Sequence, residues 1–146
     1  MSFLGKEYTF VKEENFEEFV MSLGLNEEQS QGFINYKPNQ SLVKEDDSYT
    51  YITTTTDKKK ELNFKSGLQF DESIAGRNCK TTFTLDGNTL TQVQKFEDGV
   101  EFVFKREFSD TDLVVVRSFN FDELDIDRLI GTKAIDSKSI LGRRYS

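Results

Sequence analysis

The chain has 146 residues, of which 36% are hydrophobic, and carries a net charge of −7 without a single histidine or tryptophan. This length is typical of one domain with its own core, and the negative charge argues against the phosphate attraction on which nucleic-acid binding depends. The lack of histidine excludes Ser–His and Cys–His nucleophile pairs and the common zinc sites, so the composition favours binding over catalysis.

The N-terminus, Met1-Ser2-Phe3-Leu4-Gly5-Lys6, lacks the apolar run and the small-residue cleavage site of a signal peptide. No stretch approaches the roughly 18 consecutive apolar residues of a membrane span. The single cysteine, Cys79, cannot form an internal disulfide. Together these features predict a soluble cytoplasmic protein.

Helix signals follow a first strand at Tyr8 to Val11. Asn15 can cap a short helix. Its apolar positions recur at helical spacing: Phe16, Phe19, Val20 and Leu23. Asn26 can cap a second helix, which ends before Pro38. Both helices are acidic and lack lysine and arginine, so we expect at most weak contact with a negatively charged membrane.

From Lys37 onward, strand patterns alternate with short turns at intervals of about ten residues. The segment Thr50 to Thr56 is rich in β-branched residues, and Asp86-Gly87 and Asp98-Gly99 are hairpin signals. About ten short strands must close into a barrel or pack as a sandwich, because open sheet edges pair with other molecules. The pattern therefore predicts a mainly β domain with two helices inserted after the first strand.

One predicted strand carries a buried charge. Phe102, Phe104, Arg106 and Phe108 share one face of it, and the three phenylalanines mark that face as buried. Arg106 therefore points inward, where a guanidinium needs an anion, ordered water or both. The anion is either an inward Asp or Glu, as a structural pair, or the carboxylate of a ligand held by the planar donors.

Several short sequence blocks follow one another between about Phe3 and Val116. They are Gly5-Lys6-Glu7-Tyr8, Asn15-Phe16-Glu17-Glu18-Phe19, Ser22-Leu23-Gly24, Lys37-Pro38, Phe64-Lys65-Ser66-Gly67, Phe70-Asp71-Glu72, Thr84-Leu85-Asp86-Gly87, Gln94-Lys95-Phe96 and Lys105-Arg106-Glu107. In this order and spacing the chain resembles the intracellular fatty-acid-binding proteins, which include the cellular retinoid carriers. The resemblance implies a ten-stranded antiparallel up-and-down β-barrel with a two-helix lid over a water-containing cavity.

The last strand can be placed in two ways. The resemblance implies that it carries an inward Arg-x-Tyr pair, which anchors a ligand carboxylate together with Arg106. The preferred placement aligns Asp125 to Ile130 with this strand, because it needs the smaller insertion, although it lacks the tyrosine. A two-residue turn would then put Arg128 opposite Arg117. Two facing cations need an anion between them, so we include Arg117 in the predicted site.

The alternative placement uses Arg143-Arg144-Tyr145, which keeps the tyrosine but inserts a long loop. Arg143 and Tyr145 would then take the anchoring role. In the preferred placement the barrel covers residues 1–133 and residues 134–146 form a C-terminal tail. In the alternative, residues 134–146 contain the last strand.

These features predict a monomeric intracellular carrier, not an enzyme, without a cofactor or metal. It would hold a long-chain fatty acid or similar lipid carboxylate inside the barrel, with the head group at Arg106, Arg128 and Arg117. The residues predicted to line the cavity and its entrance are Phe16, Phe19, Val20, Leu23, Phe33, Pro38, Thr53, Thr55, Phe104 and Val115. Two alternatives stay open: a retinoid or bile-acid carrier, and a barrel with a collapsed cavity that acts as a protein-interaction module.

Overall fold

A computed structural model describes residues 3–22, 26–74, 76–97, 99–121 and 137–143 of the chain. These residues form a mainly β structure with two helices after the first strand, as predicted. The helices are α1 Phe16–Ser22 and α2 Glu27–Asn35. The strands are β1 Tyr8–Glu14, β2 Asn39–Glu45, β3 Ser48–Thr54, β4 Lys59–Phe64, β5 Phe70–Ile74, β6 Arg77–Asp86, β7 Thr89–Phe96, β8 Val100–Phe108, β9 Asp112–Phe121 and β10 Ser137–Arg143.

Local sequence explains where the helices begin. Asn15 has a positive φ of 58°, which turns the chain out of β1, and its carbonyl accepts from Phe19 N at 2.9 Å in the first turn of α1. Asn26 caps α2 through a reciprocal pair of side-chain to backbone hydrogen bonds with Gln29. Both predicted cap residues immediately precede their helices, and the capping hydrogen bonds of Asn26 confirm its predicted role.

The strands form one antiparallel sheet in the order β4-β3-β2-β1-β10-β9-β8-β7-β6-β5. Consecutive strands are neighbours, as in an up-and-down barrel, except that β10 pairs with β1 and the edge strands are β4 and β5. The sheet curls until these edges approach each other: Lys60 Nζ on β4 lies 3.7 Å from Glu72 Oε2 on β5. Gly87 and Gly99 supply the positive φ values that the turns after β6 and β7 require.

The sheet is completed between β9 and β1 by β10, as in the alternative placement of the last strand. The strand beside β1 is Ser137–Arg143, so the prediction that Asp125 to Ile130 occupy this position is wrong. Residues 137–143 form a strand and not a tail. Ser137 stands opposite Arg117, where that placement put Arg128. Residues 122–136, which include Asp125 to Ile130, lie outside the described residues.

The burial of β10 gives the physical reason for this correction. Ser139 and Leu141 are only 2% and 1% exposed and share the inner face of the sheet. The entropic cost of closing a loop rises only slowly with its length, so the longer connection costs little compared with this burial. The length of the connection is therefore a weak criterion for placing the last strand.

Two apolar clusters occupy opposite ends of the interior. The larger contains Phe3, Tyr8, Leu42, Tyr51, Phe64, Phe83, Leu90, Phe108, Leu113, Val115 and Leu141. The smaller consists of Phe16, Phe19 and Val20 of α1, with Ile34 of α2 and Phe102 of β8 against them. The helices thus cover one end of the curled sheet, and neither described helix has the length and apolar character needed to cross a membrane.

Candidate ligand-binding site

A cavity of about 380 Å³ lies inside the sheet, bounded by members of both clusters. Its volume falls in the range typical of small-molecule sites, roughly 300–1,000 Å³. Its apolar lining comprises Phe16, Phe19, Val20, Phe33, Pro38, Leu62, Ile74, Phe83, Phe96, Phe102, Phe104 and Val115. Its polar lining comprises Tyr36, Gln40, Tyr51, Thr53, Lys60, Glu72, Gln92, Gln94, Arg106 and Arg117.

Arg106 projects into this cavity from β8 and is only 7% exposed. Its Nε donates to the Tyr51 hydroxyl on β3 at 3.0 Å, and its Cζ lies 4.5 Å from the centre of the Tyr51 ring. Its Nη1 is buried and has no hydrogen-bond partner among the described residues. None of the ion pairs in the described part of the chain includes Arg106, so those residues supply no ion-pair partner for it.

Tyr51 on β3 links Arg106 on β8 to Gln40 on β2. It is 4% exposed, accepts from Arg106 and donates its own hydroxyl proton to Gln40 Oε1 on β2. Burial raises the pKa of this hydroxyl above its ordinary value, and the positive charge of Arg106 opposes the rise only in part. The hydroxyl therefore stays protonated at neutral pH and orients the guanidinium without neutralising it.

Arg117 on β9 supplies a second cation to the cavity. It stands opposite Phe104 in the β8–β9 ladder, which makes it a diagonal neighbour of Arg106 on the inner face, a spacing of about 7–8 Å. Its Nη1 donates to Ser139 Oγ at 2.7 Å, and its Cζ lies 4.8 Å from the ring centre of Phe16 on the lid. Burial and the nearby charge of Arg106 lower the pKa of Arg117 to about 10.

Most of the predicted site residues lie together. Those that line the cavity are Phe16, Phe19, Val20, Phe33, Pro38, Thr53, Phe104, Arg106, Val115 and Arg117. Thr55 does not line it, because it lies beyond the end of β3. Leu23, Arg128 and Tyr145 lie outside the described residues. The backbone of Arg143 ends β10 opposite Tyr8, roughly 20 Å along the strand from Ser137, the ladder partner of Arg117.

Several inward polar residues were missed in the sequence, although strand alternation could have found them. On β7, Gln92 and Gln94 share a face with Leu90 and Phe96, which mark that face as buried. On β5, Glu72 lies between Phe70 and Ile74 in the same way. The alternation indicates that these residues point inward. Arg106 is the stronger signal, because a guanidinium keeps its charge and is costly to bury without a partner.

The curled sheet, helical lid and internal cavity with two inward cations define a small β-barrel of the ligand-binding type. No family model matches the chain. Fatty acid-binding protein 1 of Manduca sexta is 46% identical to it over 124 residues, which are 84% of this chain and 93% of that relative. The adipocyte fatty acid-binding protein of Pygoscelis papua is 38% identical over 114 residues, which are 77% of this chain and 86% of that relative.

Among solved structures, the fatty-acid-binding protein isolated from Manduca sexta matches with a TM-score of 0.77 and 32% identity. The match covers 96% of this chain and 98% of that one. The chain therefore belongs to the intracellular fatty-acid-binding protein family. Members of this family are lipid carriers and not enzymes, as predicted for this chain.

Proposed function

We propose that this protein binds one long-chain fatty acid inside its cavity, with the carboxylate between Arg106 and Arg117, and carries it through the cytoplasm. The buried Nη1 of Arg106, which has no partner among the described residues, is the observation that carries this proposal. A buried donor without a partner costs free energy, and more so when it is charged. A carboxylate can accept from Arg106 and Arg117 at once and offset their mutual repulsion.

The rest of the lining suits an alkyl chain. Phenylalanine rings from the lid and from three strands (one on β6, one on β7 and two on β8) line the cavity together with the two arginines. Burying each methylene contributes roughly 0.8 kcal/mol, so a chain of about fourteen offers roughly 11 kcal/mol before ordering costs. After those costs this is enough for sub-micromolar binding, while the arginines select an anionic head group.

The two alternative functions stand differently. A collapsed barrel would need Phe33 and Phe104 to fill the interior, whereas both line a cavity of about 380 Å³. This favours a ligand carrier over a protein-interaction module. Retinoic acid and bile acids carry a carboxylate too, and competition against palmitic acid separates these ligands.

The test compares palmitic acid with hexadecanol as competitors of a fluorescent fatty-acid probe on delipidated protein. We expect the acid to displace the probe at lower concentration than the alcohol. Arg106→Met should weaken acid binding by roughly 1.5–3 kcal/mol, the range for hydrogen bonds to charged groups, and should leave the alcohol almost unchanged.

The matched control is Arg77→Met. Arg77 is an exposed arginine whose Cζ lies 4.6 Å from the Phe96 ring centre, and it does not line the cavity. It should leave the affinities for the acid and the alcohol nearly unchanged. Equal competition by acid and alcohol in the wild-type protein would contradict the proposed head-group site.

A further inference from the structure

A buried carboxylate faces the same cavity as the two arginines. The side chain of Glu72 on β5 is 7% exposed and lines the cavity beside Ile74. Its Oε1 accepts from Thr81 Oγ1 at 2.7 Å and from Gln94 Nε2 at 3.0 Å. These donors stabilise a negative charge at this point.

The second oxygen of Glu72 is bound less tightly. Its Oε2 lies 3.7 Å from Lys60 Nζ, which is beyond hydrogen-bond length, and the Lys60 side chain is 55% exposed. Oε2 therefore keeps capacity to accept a hydrogen bond. Because water screens an exposed ammonium, Lys60 only partly offsets the negative potential that Glu72 contributes to the cavity.

Glu72 and Arg106 lie at different levels of the cavity. In the β7–β8 ladder, Gln94, which binds Glu72, stands opposite Phe102, whereas Leu90 stands opposite Arg106. Four residues separate these levels along β8, about 13 Å of strand. Phe102 contacts Phe19 of the lid with ring centres 6.5 Å apart, so Glu72 marks the lid end of the cavity.

We infer that Glu72 determines which lipid tails the cavity accepts: it rejects a tail that ends in a second carboxylate and tolerates one that ends in a hydrocarbon or a hydroxyl. This inference rests on the proposed function, since it assumes a head group at Arg106 and Arg117 that directs the tail towards the lid end. Like charges brought together in a dry site repel strongly. A terminal hydroxyl instead donates to a carboxylate oxygen.

The experiment measures the dissociation constants of palmitic acid, hexadecanedioic acid and ω-hydroxypalmitic acid for wild-type protein and Glu72→Gln. Glutamine keeps the volume and one acceptor oxygen but removes the charge. Part of the weaker binding of the diacid comes from desolvating its second carboxylate, so the ratio of diacid to monoacid affinity is compared between the two proteins. We expect Glu72→Gln to raise the ratio of diacid to monoacid affinity by about tenfold or more, because it removes the charge that repels the second carboxylate. ω-Hydroxypalmitic acid should bind both proteins.

Lys60→Met is the second variant. This variant removes the positive charge that partly offsets Glu72 and keeps Glu72 itself. It should therefore lower the ratio of diacid to monoacid affinity, the opposite of the change in Glu72→Gln. It also tests the inference should Glu72→Gln fail to fold. If Glu72 serves only to join β4 and β5, both variants should lower stability and leave the ratio unchanged, which overturns the inference.

The outcomes also separate this inference from the proposed function. Tight binding of palmitic acid with an unchanged ratio in both variants would overturn the role of Glu72 and leave the carrier function in place. Failure of the wild-type protein to bind palmitic acid would overturn the proposed function, and the inference with it.

Discussion

Arg117 on β9 donates from Nη1 to Ser139 Oγ on β10 at 2.7 Å, so the strand that completes the sheet also positions one of the two cavity cations. Ser139 is 2% exposed and has little freedom to move away. The hydrogen bond and the Phe16 ring, 4.8 Å from Arg117 Cζ, hold the guanidinium between the sheet and the lid. One side chain thus couples strand closure and lid position to the proposed head-group site.

Ser139→Ala should weaken fatty-acid binding by about 0.5–1.5 kcal/mol, because Arg117 loses the acceptor that orients it towards the ligand. Titration of palmitic acid into delipidated protein measures this, and urea melts of the apo protein measure the change in stability. Ser118→Ala, at a half-buried position on the other face of β9, serves as control. Reduced stability with unchanged affinity would make Ser139 a structural residue only.

The affinity for fatty acid should depend on pH near the pKa of Arg117, about 10. A bound carboxylate favours the charged guanidinium, so the complex holds this proton more tightly than the free protein. Affinity should therefore be level below about pH 9 and fall as pH rises through 10, by at most about tenfold per pH unit for one proton. Burial and the charge of Arg106 lower the pKa of Arg117, whereas Tyr51 and Glu13 raise it.

Arg117→Met is the control for this pH profile, because it removes the titrating group and should flatten the fall. Hexadecanol should show no such dependence in either protein, since it lacks the carboxylate. Burial raises the pKa of Tyr51 above its ordinary value. An equal fall in wild type and Arg117→Met would assign the pH dependence to other groups.

Tyr51→Phe should lower the free energy of unfolding of the apo protein by about 1–3 kcal/mol. It leaves Arg106 Nε and Gln40 Oε1 buried without the hydroxyl that joins them. The ring remains, so its contact with the guanidinium remains too. Tyr49→Phe, on the same strand and with its ring stacked on Phe64, is the matched control and should cost less. Equal losses in urea melts would contradict the proposed link through the Tyr51 hydroxyl.

Sequence patterns predict the strands, the two helices after the first strand and the inward direction of Arg106, because each depends on short-range spacing, whereas the lid arrangement was implied by the family resemblance. Alternation along β8 is complete enough that three phenylalanines determine which face is buried. The caps Asn15 and Asn26 are also local signals, read within one helical turn. Such features need no knowledge of which strand pairs with which.

The partner of β1 could not be predicted in the same way. β10 is short, its sequence Ser-Lys-Ser-Ile-Leu-Gly-Arg alternates weakly, and its place depends on pairing with residues more than a hundred positions earlier. Loop length was a poor guide to that choice, because closure entropy changes little between a short and a long connection. The two-residue turn that led to Arg117 put Arg128 opposite it, whereas the sheet has Ser137 there.

A buried residue of β10 tests the placement of that strand. Leu141→Ala should lower the free energy of unfolding by about 2–5 kcal/mol, because it removes a buried side chain from the core. Ile140→Ala, half-buried on the other face of the strand, should cost clearly less in the same urea melts. Equal costs would mean that Leu141 does not face the core.

Deletion of residues 137–146 should abolish folding, for a reason particular to this sheet. Among the described residues β1 pairs with β2 only at Tyr8 and Gln40, whereas its ladder with β10 extends from Tyr8 to Glu14. Without β10, β1 would lose most of its pairing, and the lid that follows it would lose its attachment. A tail would instead be dispensable, so a truncated protein that folds cooperatively and binds palmitic acid would show that another segment completes the barrel.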